Sequence, residues 1–464
     1  MTSTGPRAAL ILALAILPSA GAGEAPVSVY DRLKEATREH SPELAGARAE
    51  LEQRGAQVHT SIAHWLPRLE LQFSQTKSRD YSLLVSGQLP AGFGPFTPPE
   101  ISLAGWRVLG TLPLYRRSVH LGVVQAARER EAADARLNSR TEELDFRLRG
   151  LFGAYLLQSY KLAALKHSLE IAETNLREVR ARFALGQRTR VDVLRYEANG
   201  TQLESRRLQH EQQLSADWSS LVDYTGLDDH KLEEIGVRAV AGSEERLDSA
   251  IEEFAAVDPA WSRVAGWVGS DDAAALSRRL EERCPLVRSI LAEDAVADAK
   301  SGLLSAQEWP ELSVQASLFQ QARAWGELFS GRQVSYSLGV VLSIPLYLGG
   351  SLYSATREAI SARQVATVRR ERELLRVRSD VRGEILQARS LRQAVEALRL
   401  ARDQQGEIVR LSAKSYELGR LPLVELLASS NALLEAKIEY AKARIDLGVL
   451  VRRLAFHLGA ENPS

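Results

Sequence analysis

Four short stretches of this chain alternate apolar and polar residues with a period of two. Leu69, Leu71 and Phe73 are interleaved with Glu70, Gln72 and Ser74, and Trp106, Val108 and Leu112 with Arg107, Leu109 and Thr111. Further on, Leu312, Val314 and Ala316 alternate with Ser313, Gln315 and Ser317, and Tyr336, Leu338, Val340, Leu342 and Ile344 with Ser335, Ser337, Gly339, Val341 and Ser343. Such a period predicts strands that separate two different media. Prolines bound each pair, giving one strand hairpin over 67–114 and another over 310–346. The Gly/Pro-rich stretch from Gly87 to Pro99 reads as the exposed tip of the first.

The rest of the chain is helical in pattern. Ala-rich helices are predicted from Val29 to Ala63 and from Leu286 to Gln307, before Pro67 and Pro310, since proline cannot continue a helix interior. After Pro113 and Pro345 no proline interrupts Arg116 to Phe183 or Leu348 to Tyr416. Each is roughly seventy residues, on the order of 100 Å as a helix. In the second, Leu374, Val377, Val381, Ile385, Ala388, Leu391, Val395 and Leu398 form a near-heptad seam, which predicts packing against neighbouring helices on one face. Gly186 and Gly419 stand where a left-handed helix C-cap is needed, and returning helices follow from Thr189 to Thr225 and from Pro422 to Leu458.

These elements occur twice in the same order. Phe183-Ala184-Leu185-Gly186-Gln187-Arg188-Thr189-Arg190-Val191-Asp192-Val193-Leu194 returns as Tyr416-Glu417-Leu418-Gly419-Arg420-Leu421-Pro422-Leu423-Val424-Glu425-Leu426-Leu427, and the same offset aligns Gly226 with Gly459. The chain therefore reads as a duplicated architecture. Its divisions are a secretory signal over 1–22, a first repeat over 23–228 with its long helical hairpin at 116–226, an inter-repeat side domain over 229–284 holding Trp261 and Trp267, and a second repeat over 285–464 with its long hairpin at 348–459. The signal rests on Arg7, an apolar stretch from Ala8 to Leu17, and small residues around Ala20 and Ala22, and predicts export from the cytosol.

Composition narrows the function. Lysine plus arginine equals aspartate plus glutamate at 59 each, which offers no electrostatic basis for binding nucleic acid. The single cysteine, Cys284, excludes a disulfide framework and leaves the predicted leader without an acylation site. Aromatics are 6%, low for an enzyme with a large globular core. No phosphate loop, zinc-protease signature or nucleophile elbow occurs. His59 and His64 are five residues apart, on different faces of a helix, and suit no metal. No catalytic residue and no cofactor is expected.

The repeated acids Asp192 and Glu425 are the principal candidates. Thr189-x-x-Asp192 has the form of a capping box, and an acid in a first helical turn is favoured by the backbone dipole, so a structural role alone accounts for it. The compatible functional reading is a ring of acids at the end of a tube, favouring cations. Phe183 and Tyr416 are expected to pack within the hairpins.

Helix, strand hairpin, long helix, an aromatic-x-x-Gly turn followed by Asp-Val-Leu or Glu-Leu-Leu, and repetition of the whole resembles the TolC-like outer-membrane factor family, from Val29 to Gly459. The resemblance implies a mainly α fold with β, trimerising into a 12-stranded outer-membrane β-barrel with a periplasmic α-helical barrel. It implies a homotrimer set in outer-membrane lipid of a Gram-negative bacterium, a periplasmic membrane-fusion (adaptor) partner, and an inner-membrane transporter of RND, ABC or MFS type. The function implied is passive exit through a tripartite efflux pump or type I secretion system, for drugs, metal ions or polypeptides. By motif position, Phe183, Gly186, Asp192, Tyr416, Gly419 and Glu425 would form the periplasmic aperture and adaptor contact. Leu421 stands where some members carry an arginine of the closing network, and Ala428 where some carry a second ring acid. A periplasmic coiled-coil adaptor without a pore is the alternative, which the amphipathic strands oppose; a secreted hydrolase would need a convergent polar site.

Overall fold

The computed structural model describes residues 26–78, 100–240, 242–255, 264, 273–322, 325–328, 334–346 and 350–459. The leader over 1–22, the hairpin tip from Gly87 to Pro99, and Trp261 and Trp267 lie outside the described residues. The chain divides into two compact units, one of residues 38–147, 257–392 and 450–464, the other of 1–37, 148–256 and 393–449.

The first unit holds a four-stranded antiparallel sheet, β1 (Arg68–Ser78), β2 (Ile101–Arg116), β3 (Glu311–Ala322) and β4 (Ser335–Ser343), in that spatial order. The two hairpins of the duplicated units are joined edge to edge by β2 and β3. Cross-strand partners share a face, and the register runs Leu71 to Val108, Val108 to Leu318 and Leu318 to Tyr336. The alternating apolar positions therefore form one continuous face. It is open to the surroundings, with Leu69 77% and Tyr336 81% exposed. On the opposite face Ser317 and Ser337 bond through their hydroxyls at 2.8 Å, and the Arg107 guanidinium lies 5.7 Å from the Phe319 ring.

Strand β2 runs through Pro113 to Arg116, further than the sequence predicts. The register shifts between Pro113 and Tyr115, and at such an irregularity a proline costs no ladder bond. The helix predicted from Val29 to Ala63 is likewise two helices, α1 (Pro26–His40) and α2 (Pro42–Ala63). Pro42 has no N–H to continue α1 but suits the first turn of a new helix, so the chain restarts after an extended Ser41.

From the sheet the chain enters α3 (Arg117–Ala184), and α4 (Arg190–Thr225) returns. Shorter helices follow, α5 (Asp229–Ile235), α6 (Glu244–Phe254) and α7 (Ala273–Arg283), then α8 (Pro285–Ser305), which leads into β3. After β4 come α9 (Ser351–Glu417) and α10 (Leu423–His457). The predicted seam of α9 is seen: Val377, Val381, Ile385 and Ala388 are buried against Leu280, Cys284, Val287, Leu450 and Leu454. Among the described residues no helix is long and apolar enough to cross a membrane.

The second unit has its own core. Tyr30, Phe152 and Phe254 meet with ring centroids 5.6–6.1 Å apart. Arg149 closes this cluster, donating to the Phe254 carbonyl at 2.8 Å with its guanidinium 4.5 Å from the Phe254 ring. Close approach of α3 and α10 requires Gly153, where a Cβ would come within 2.9 Å of Ile445 Cγ2. Among the described residues of 229–284, Leu232, Leu247, Ile251 and Phe254 join this aromatic cluster, while Val264, Leu276 and Leu280 join the cluster containing Cys284.

Candidate functional site at the paired helical hairpin tips

Within the second unit the turns α3–α4 and α9–α10 are built alike. Gly186 has φ +75° and Gly419 φ +69°, the left-handed conformation that the repeated glycine predicts. In the first turn Gly186 N–H donates to the Phe183 carbonyl at 2.9 Å and Gln187 N–H to that of Arg182 at 2.9 Å. In the second, Gly419 N–H donates to Tyr416 at 3.0 Å and Arg420 N–H to Ser415 at 2.9 Å. This double bond pattern closes a helix C-terminus and satisfies its last carbonyls. No side chain crowds either glycine.

The helix starts differ. Thr189 and Asp192 form a full capping box, with the Asp192 N–H donating to Thr189 Oγ1 at 3.2 Å and the Asp192 carboxylate accepting from the Thr189 N–H at 3.2 Å and hydroxyl at 2.9 Å. Pro422 occupies the position of Thr189 in the second copy, so Glu425 has no such partner. Glu425 lies exposed in the first turn of α10, and among the described residues its carboxylate makes no hydrogen bond or ion pair. The two repeated acids therefore stand in different states: one is bound to its own helix cap, the other is open.

The two tips pack on each other through a small core of Val179, Tyr196, Tyr416, Leu423 and Leu426, edged by Val193 and Leu421. Tyr416 is buried as expected. Phe183, its counterpart, is 42% exposed and takes no part in that core, contrary to expectation. The duplicated position is not equivalent because only the second tip turns its aromatic toward the other hairpin.

A residue outside the expected set closes the contact. The Arg188 guanidinium stacks 4.3 Å from the Tyr416 ring centroid and donates from Nη2 to the Tyr416 carbonyl at 3.4 Å. Position by position in the duplication, Arg188 aligns with Leu421. The first tip thus carries an arginine that the second lacks, and it reaches across to the opposite hairpin. Alignment of the two copies shows the residue, and only the packing shows its contact.

Burial pushes the Tyr416 phenol up, with Asp192 acting the same way and Arg188 against it. The Tyr196 phenol is raised further, by burial first and then by the neighbouring Tyr416. Both rings are neutral in physiological conditions. The Tyr416 hydroxyl is enclosed without a hydrogen-bond partner of good geometry, although the Tyr196 phenol is close enough to affect its titration. Arg190, Arg195 and Arg420 are exposed nearby.

Among the described residues no cluster of histidine, cysteine or carboxylate side chains could hold a metal. The arrangement holds the two helical turns together by one cation, two tyrosine rings and a few leucines and valines.

The sequence matches the family described as outer membrane efflux protein over residues 33–227 and 276–460, once for each copy of the duplicated unit. It is similar to the outer membrane protein TolC of Vibrio cholerae, with 21% identity over 450 residues, covering 96% of this chain and 93% of that protein. Its fold resembles that of the outer membrane protein VceC of Vibrio cholerae (TM-score 0.70, 16% identity, 93% of this chain and 96% of that one). It also resembles the CmeC outer membrane channel of Campylobacter jejuni (TM-score 0.74, 12% identity, 99% of this chain and 94% of that one).

Proposed function

Because this chain belongs to the outer membrane efflux protein family, we propose a specific account of how its residues make and close an exit duct. The protein is an outer-membrane channel for efflux that extends into the periplasm, and the relatives it matches are channels, not enzymes.

The observation that carries the finer reading is the sheet. Its apolar face is continuous over four strands, yet among the described residues β1 and β4 have no neighbour on their outer sides. In lipid an open strand edge leaves backbone groups unsatisfied, so only a closed barrel is admissible. Three copies placing β4 of one beside β1 of the next would give twelve strands, with the apolar face on outer-membrane lipid. The duplicated units 23–228 and 285–464 would then each supply one hairpin of barrel and one of helical duct.

The paired tips would form the periplasmic aperture. Arg188 on Tyr416 is the clasp, Gly186 and Gly419 set the turns, Asp192 stabilises its helix start, and Glu425 projects the acid of a ring. The exposed Leu185, Val191, Leu418 and Val424, with Phe183, would meet a periplasmic adaptor protein. An inner-membrane transporter of RND, ABC or MFS type would supply the energy, since the duct itself carries no nucleotide or cofactor machinery in its sequence. Adaptor contact would shift the population from clasped to open packings.

Electron microscopy of the protein purified from membranes tests this reading. Three-fold cylinders that run as heat-resistant trimers are expected; monomers without a barrel would refute it.

A further inference from the structure

Above the clasp, a cleft of about 190 Å³ remains between the two helical hairpins. It lies wholly within the second unit, among α3, α4, α9 and α10. Small residues create it. Ala172 on α3 and Ser430 on α10 leave space that larger side chains would fill. Ile171, Leu203 and Leu434 supply apolar wall.

The polar part of the wall combines three amides with His167, Ser168, Tyr196, Ser430 and Lys437. Asn175, Asn199 and Asn431 all line the cleft. Among the described residues their side chains share one hydrogen bond, a long one of 3.4 Å from Asn431 to Asn199. Each amide can donate twice and accept through its carbonyl, so most of that capacity is open. No carboxylate lines the cleft, which gives a cation nothing to pair with. The Lys437 ammonium at its border is already held by Glu244 at 2.6 Å, which weakens its attraction for an anion and leaves His167 as the other basic side chain on the wall.

Size and chemistry together define an occupant. An apolar cavity of about 150 Å³ accommodates benzene, so this one admits a single ring with one small polar substituent. We propose that this cleft is a binding site for an uncharged single-ring aromatic molecule bearing an amide or hydroxyl group. Such a ligand touches both hairpins at once, and Tyr196, which lines the cleft, also packs in the tip core with Tyr416. Its binding favours the packing in which the hairpins are together; this consequence rests on the exit-duct reading, whereas the binding itself does not.

The test uses the full mature protein in lipid nanodiscs, free of detergent whose tails would compete. Benzamide is the probe and benzoate the charged control, followed by saturation-transfer NMR. Benzamide should bind with a dissociation constant on the order of 1 mM, typical of so small a ligand, and benzoate at least about tenfold more weakly. Ala172→Leu and Ser430→Leu each fill part of the space and should abolish the benzamide signal. Equal binding of benzoate, no benzamide signal, or a signal unchanged in both variants would overturn the proposal. Because Ser430 is exposed, its variant keeps the test usable should Ala172→Leu fail to fold. Benzamide binding retained in a protein that forms no channel in bilayers would count against the exit-duct reading and not against the site.

Discussion

Removing the Arg188 charge should loosen the contact between the paired hairpin tips, the proposed aperture, by an amount that can be worked out. The guanidinium sits 4.3 Å from the Tyr416 ring centroid and is half-buried. A cation over an aromatic ring in such a setting contributes about 0.5–1 kcal/mol. Its hydrogen bond to the Tyr416 carbonyl, at 3.4 Å, lies at the edge of useful geometry and adds little. The clasp is therefore worth about 1 kcal/mol in one protomer, roughly a fivefold change in the open population. Three clasps releasing together would give about 3 kcal/mol, or roughly 150-fold. Single-channel recording in planar bilayers reads this directly, with Arg188→Leu, Tyr416→Leu and the double variant forming a cycle. The two single changes should each raise the open fraction, and the double variant should be little worse than either, because one contact is lost in all three. Tyr416→Phe keeps the ring and discards the enclosed hydroxyl, so it should stay closed or close more firmly. Additive single effects, or an Arg188→Leu channel as closed as the original, would refute the clasp.

Four further outcomes follow from the same geometry. Gly186→Ala and Gly419→Ala should each cost about 1–2 kcal/mol from left-handed backbone alone, whereas Gly459→Ala should cost more, since its Cβ would fall 2.5 Å from Arg283 Cβ; thermal unfolding would rank them, and equal losses would contradict the packing. Burial, with Glu244 beside it, raises the Asp248 carboxyl despite its Tyr160 hydrogen bond and the charges of Arg402 and Lys437. The folded protein thus holds this proton more tightly than the unfolded chain, so the contribution to stability is lost as pH rises from about 4, the unfolded value, through the raised native one. Asp248→Asn should flatten that dependence in hydrogen exchange of α6, and an unaltered profile would exclude Asp248 as its source. Glu425→Gln should lower cation selectivity, with unchanged reversal potentials arguing against an acidic ring. Burial also pushes the Cys284 thiol up, so a maleimide should label it only on unfolding; rapid labelling of the folded protein would show the α7–α8 junction to be open.

Much of this molecule was legible in the sequence because its elements are long and their periods unmixed. Two-residue alternation from Leu69 and from Tyr336 fixed which side chains share a sheet face, and the seam predicted from Leu374 to Leu398 matches the buried stripe of α9 as far as Leu391. The glycines at 186 and 419 declared their turns because only a left-handed residue closes a helix so abruptly. Duplication declared the plan, and the family resemblance its setting. What local pattern could not settle was anything that depends on which copy faces which. The duplication treats Phe183 and Tyr416 as equivalent, whereas Thr189 against Pro422 already separates Asp192 from Glu425. In three dimensions one aromatic is buried and the other exposed, one acid is bonded to its cap and the other open. The joining of the hairpins through β2 and β3, the clasp from Arg188 to Tyr416, and the amide-lined cleft all arise between segments more than a hundred residues apart in the chain. Periodicity reports the environment of each helix or strand on its own; the identity of its neighbour is a property of packing, and only the tertiary structure decides it.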